Sequence, residues 1–117
     1  MKNYLLLLHE TQGTNAAELS ADEIAQVIAE YRSWHEQLAD QKRVRDSQKV
    51  RDDGGKSLIQ RDGKPVVFDG PYAQAKELIG GYFLIAATDY EDAVEVSSSC
   101  PHLTYGGRIE IREIEPT

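Results

Sequence analysis

Asn3-Tyr4-Leu5-Leu6-Leu7-Leu8 is apolar on both faces of a strand from Tyr4 onward, with no alternation. A strand of that kind is covered on both sides, which predicts a central place in a sheet. The single Lys and four leucines near the start also imitate a signal peptide. The run stops at His9-Glu10, however, short of the ~7–15-residue apolar core and small-residue cleavage site that such a leader needs. A buried first strand is the expectation, followed by a polar loop over residues 9–19.

Outward from that strand, Ser20-Ala21-Asp22-Glu23 is a capping box. The Ser20 hydroxyl can accept from the Glu23 amide while Glu23 reaches back. Ile24, Val27, Ile28, Tyr31, Trp34 and Leu38 then recur at the spacing of one buried helical stripe, which predicts a helix to about residue 41. Residues 43–50 form a polar strand near an edge, and Asp53-Gly54-Gly55 a turn. Residues 56–61 and 64–68 are strands joined by Asp62-Gly63, a dipeptide suited to a tight primed hairpin turn. Pro71 fits the first turn of a short helix ending with Gly80 at its C′ position. Residues 81–87 are a strongly apolar strand. Thr88-Asp89-Tyr90-Glu91 reads as a second capping box opening a helix to about Ser99, which Pro101 stops. The last strand, 107–114, alternates cleanly, with Ile109 and Ile111 on one face and Arg108, Glu110 and Arg112 on the other.

With the hairpin set aside, the order is βαββαβ, the ferredoxin-like arrangement, so the fold class is α+β with an inserted β-hairpin. Its antiparallel sheet carries helices on one face only. The leucine run and the Tyr82–Ile85 stretch are too apolar for the other face to be wet, and a second copy of the chain is its simplest cover. A homodimer is therefore expected.

The chain's 117 residues suit a single domain over 1–117. No apolar run approaches a membrane span of ~18 residues, so no membrane partner is expected. Thirteen Lys and Arg against twenty Asp and Glu give a net charge of −7, which disfavours nonspecific nucleic-acid binding. With Cys100 as its one cysteine the chain can form no internal disulfide, and a reducing, cytoplasmic setting is expected.

Asp69-Gly70-Pro71-Tyr72, followed by Lys76-Glu77 and Gly80-Gly81-Tyr82, resembles the signature of the YCII-related (DGPF) family. The opening Tyr4–Leu8 run, Cys100-Pro101 and the closing Gly106-Gly107-Arg108-Ile109-Glu110-Ile111-Arg112 resemble it too, so the likeness spans nearly the whole chain. Tyr72 stands where the family usually has Phe. The resemblance implies a dimeric α/β barrel, two sheets packed face to face, with a cleft between sheet and helices in each subunit. Some members resemble hydrolytic or dehydrochlorinating enzymes that use a His in helix one and an Asp after helix two. Here those positions fall at Glu30 and Cys100, so that dyad is not expected, and the resemblance brings no cofactor.

Among residues able to carry chemistry, Asp69 is a candidate base or ligand-positioning group, although Asp-Gly-Pro also suits a turn. His35 projects onto the apolar stripe and is a candidate base; the competing outcome is a hydrogen-bonded core histidine. Tyr31, Trp34, Asp69, Gly70, Pro71, Tyr72 and Lys76 are candidate ligand-binding residues. The competing reading makes Tyr31 and Trp34 core by their spacing, and Lys76 with Glu77 a solvated pair. His9, His35 and His102 lack metal-ligand spacing, so no metal is expected. Cys100, after a helix C-terminus, reads as a buried structural thiol. Three readings follow: a small-molecule cleft in the dimer, a regulatory protein-interaction module linked to transcription or stress signalling, and last a purely structural dimer. A deep polar pocket favours the first, an exposed apolar patch the second.

Overall fold

The structure, a computed structural model, describes residues 1–11, 19–71 and 77–116. Its elements run β1 (Lys2–Thr11), α1 (Ala21–Asp40), β2 (Val44–Lys49), β3 (Lys56–Arg61), β4 (Lys64–Asp69), β5 (Glu77–Ala87), α2 (Tyr90–Ser97), α3 (Pro101–Thr104) and β6 (Arg108–Glu113). The class is α+β. Four strands form an antiparallel sheet in the order β2-β5-β1-β6, and β3 and β4 pair only with each other as a separate hairpin.

β1 sits inside the sheet, flanked by β5 and β6. Tyr4, Leu6 and Leu8 are buried while Leu5 and Leu7 are half-buried, so the uninterrupted leucine run serves two different faces. On the first face lie Phe83, Ile85 and Ala87 of β5, with Trp34 and Leu38 of α1, Ala93 of α2 and Cys100 packed over them. Trp34 meets the Phe83 ring edge-on at 4.9 Å, a favoured aromatic geometry. The helices thus cover one side of the sheet.

The capping box at Ser20 is made in both directions, Glu23 N donating to Ser20 Oγ and Ser20 N to the Glu23 carboxylate. The stripe on α1 is narrower than its spacing predicts, because Ile28 is exposed. In the hairpin, Asp62 (φ 50°) and Gly63 (φ 76°) both take left-handed backbone, as a primed turn requires.

Four details depart from the sequence reading. β1 continues through His9, Glu10 and Thr11, which pair with the start of β5 despite their polarity. Residues 77–80 are strand, so Gly80 ends no helix; residues 72–76, which would have formed most of it, lie outside the described residues. The second helix is capped by Asp89, one residue later than Thr88, with Asp92 N donating to Asp89 Oδ1 at 2.8 Å. The Asp92 carboxylate accepts from the Thr88 amide and from Arg43 instead of the Asp89 amide, so the cap is one-way and no reciprocal box is closed. Finally, Pro101 opens a helix as well as closing off α2: it is the first residue of α3, where its missing N–H leaves no bond unmade.

Candidate functional site

β5 contains one residue too many for its partner. Leu8 pairs with Gly81 and His9 with Ile79, so Gly80 is skipped as a β-bulge. Beside this bulge the end of β1, the segment after β2, the base of the hairpin and the start of β5 enclose a cleft of about 480 Å³. Glu10, Lys49, Lys56, Ser57, Pro71 and Gly80 are among its walls. The hairpin base is held by Gly70 N donating to Gly55 O at 2.8 Å and Ser57 Oγ to Gly70 O at 2.8 Å. Gly70 has φ +81°, a conformation L-residues rarely take, so its role is backbone reversal. The close approach lies across the base of the hairpin: a β-carbon on Gly54 would sit 3.3 Å from the Gly70 α-carbon.

A smaller and more open cleft of about 290 Å³ lies between α1 and α3, lined by Glu30, Ser33, Trp34, Gln37, Ser99 and Pro101 among others.

The residues singled out from the sequence fall into separate surroundings. Pro71 lines the larger cleft and Trp34 the smaller, and Trp34 also donates from Nε1 to Ser99 Oγ at 3.0 Å. Asp69 ends β4 and pairs across the hairpin with Lys56, its side chain 88% exposed. His35 is half-buried with its ring 6.1 Å from that of Phe83, and it lines neither cleft. Tyr31 turns instead to His102. His35, Asp69 and Tyr31 therefore have three different partners. Tyr72 and Lys76 lie outside the described residues.

The histidine that organises the interior is His102, which its distance from His9 in sequence concealed. It is buried, with Nε2 2.8 Å from the His9 carbonyl oxygen and Nδ1 3.1 Å from the Tyr31 hydroxyl. A carbonyl only accepts, so Nε2 carries the proton; in the neutral ring Nδ1 then accepts from Tyr31. Burial raises the Tyr31 pKa, and the negative charge of Glu10 raises it further. Glu10 in the larger cleft is thus close enough to be felt at this network. Gly106-Gly107 was the available signal, since the His102 ring occupies the place a side chain on Gly107 would need.

At the positions where the resemblance would expect a dyad, Glu30 accepts from Tyr105 Oη at 2.8 Å and Gln26 Nε2 at 3.2 Å. Cys100 is 1% exposed and burial pushes its thiol up to about 11, so it is held as the thiol. It follows α2 and also occupies the N-cap position of α3 without making a side-chain cap bond.

The sheet face away from the helices combines half-buried Leu5, Leu7, Tyr82 and Leu84 with a charged border. Arg108 grips Glu77 through two nitrogens at 2.8–3.2 Å and holds its carboxyl below the usual range. Glu110 bridges Arg112 and His9, and both contacts lower its pKa. Tyr82 donates to Asp46 at 2.6 Å, which raises the phenol pKa.

Among the described residues no group of three or more His, Cys, Asp or Glu side chains is placed to hold a metal, and no helix is long and apolar enough to cross a membrane. No curated protein matches the sequence. Residues 3–117 match the model of the YCII-related domain, and the chain belongs to that family.

Proposed function

We propose that this protein binds a small molecule in the cleft beside the Gly80 bulge, within a homodimer built on a ferredoxin-like sheet. The cleft carries the reading. Its volume of about 480 Å³ falls in the range of small-ligand sites, ~300–1,000 Å³. Charged groups, a hydroxyl, and the apolar Val50, Leu78 and Ile79 all converge on it. A bulge beside a ligand site is a recurring use of that irregularity.

The strand order β2-β5-β1-β6, with the helices on one face, supports the ferredoxin-like reading. Leu5, Leu7, Tyr82 and Leu84 on the uncovered face support a second copy packed there by two-fold symmetry, which would complete a dimeric α/β barrel. Light scattering after size exclusion tests the assembly: a species at twice 13.1 kDa is expected, and a monomer at micromolar concentration sinks that part.

The cleft is tested by thermal shift against a library of metabolite-sized compounds, with Ile79→Trp as a control. Ile79 is 47% exposed and lines the cleft, so a larger ring there should fill space at little expense to folding. Compounds that stabilise the wild type should lose their effect in the variant. Equal stabilisation of both would place binding elsewhere.

One observation favours a second reading, a regulatory module acting through protein contacts. Leu58 and Val67 are cross-strand neighbours in the hairpin, 66% and 59% exposed. Leu58→Ser with Val67→Ser would abolish function under that reading and spare it under the first.

A further inference from the structure

The larger cleft contains a carboxylate that no described residue neutralises. Glu10 is half-buried at the end of β1, and its side chain lies directly over the α-carbon of Gly80. A β-carbon on residue 80 would land on Glu10 Oε1. Gly80 is also the bulged residue of β5. A register irregularity and a missing side chain therefore coincide to make room for one acid group.

Among the described residues Glu10 has neither a hydrogen bond nor an ion pair. The other charges around it are engaged or lie in water. Glu77 is held by Arg108 and Lys56 by Asp69. Arg51 is 4.0 Å from Asp53 with its side chain 93% exposed, and Lys49 Nζ donates to the Val50 carbonyl. Asp52 is exposed. A partly desolvated carboxylate is stabilised by a donor or an opposite charge, and here the protein supplies neither from its described residues.

We infer that Glu10 is the counter-ion for a small organic cation, a ligand bearing a primary ammonium group, bound in this cleft; the inference rests on the cleft being a ligand site. An ammonium fits better than a metal ion, because no set of three acidic, His or Cys ligands gathers there among the described residues. Val50, Leu78, Ile79 and Pro71 offer apolar contact for the carbon stem of such a molecule.

The test is a titration of 15N-labelled protein, followed through its amide shifts, with three probes of one size: n-butylammonium, n-butanol and n-butyrate. Butylammonium should shift the amides of Leu78, Gly80 and Gly81 saturably and bind at least fivefold more tightly than butanol, with butyrate weakest. Glu10→Gln keeps the shape over Gly80, so it should fold; it should bring butylammonium down to the affinity of butanol. In the unmodified protein, added salt should weaken butylammonium and leave butanol unchanged. If butanol binds as tightly as butylammonium, or the Gln variant or added salt leaves butylammonium binding intact, the cation inference is overturned and the cleft survives as a ligand site. If none of the three probes shifts these amides, both readings fall.

Discussion

Alanine at position 107 would drive a methyl group into the imidazole of His102. The ring cannot swing aside freely, because Nε2 donates to His9 O and Nδ1 accepts from Tyr31. Relief has to come either from backbone movement at the start of β6 or from expelling the ring. Overpacking of this kind costs roughly 1–3 kcal/mol. Expulsion would leave the Tyr31 hydroxyl and the His9 carbonyl without partners, at about 1–3 kcal/mol for each buried group. The cheaper route sets the loss, about 2–3 kcal/mol, against a total stability of order 5–15 kcal/mol for a domain. At this chain length that lowers Tm by roughly 6–15 °C. Gly106 is the control next door. It has φ +86° and open space around it, so Gly106→Ala meets only backbone strain, about 1–2 kcal/mol. Urea unfolding of both variants decides the matter. If Gly107→Ala is no more destabilising than Gly106→Ala, the His102 reasoning is refuted. The clash also predicts non-additivity: in a His102→Ala background, Gly107→Ala should add less than about 1 kcal/mol.

Asp92 is held below the usual aspartate range chiefly by its bond to Arg43, then by the Thr88 amide. A carboxyl lowered in the folded state adds stability above its unfolded value, ~3.9, and loses it as pH falls through the lowered folded value. Asp92→Asn should therefore cost about 1 kcal/mol near neutrality, with the gap to wild type closing below pH ~4 in thermal melts. A gap independent of pH would contradict the assignment. Cys100, buried with its pKa pushed up to about 11, should react with a disulfide reagent at pH 8 far more slowly in the folded protein than in urea; equal rates would mean the thiol is accessible. Gly70→Val forces a β-branched residue to φ +81° and should disturb the hairpin base by about 2 kcal/mol while leaving α1 amide shifts unchanged. A native spectrum at residues 54–57 would show that this bend tolerates a side chain.

Local chemistry made part of this legible in advance. Ser20 and Glu23 form their capping box because the signal needs only four consecutive residues, and Asp62-Gly63 fixes its hairpin by backbone preference alone. The central place of β1 followed from leucines on both faces. Where competing local signals overlapped, the reading slipped. Thr88 and Asp89 can each cap a helix, and Asp89 prevails because Asp92 is drawn back to Thr88 and Arg43. The glycines at 80 and 81 look like a helix stop, but a glycine inside a strand also marks a bulge. The site residues were harder because their meaning depends on contacts far apart in sequence. Glu10 looked like the polar end of an apolar run until Gly80 was found beneath it, 70 residues later. His102 looked isolated until its ring met the backbone of His9 and the hydroxyl of Tyr31. His35 was placed correctly by helical projection near the sheet, yet projection cannot tell a cavity from the Phe83 ring beside it.

The most direct measurement is a crystal structure of the protein soaked with a mixture of small polar fragments that includes primary amines. The account predicts ordered ligand density between the Glu10 carboxylate, the Gly80 bulge and Ser57, with an amine nitrogen against Glu10. Density confined to the Trp34–Ser99 cleft or to the Leu58–Val67 face of the hairpin, with the Gly80 cleft holding only water, would contradict it.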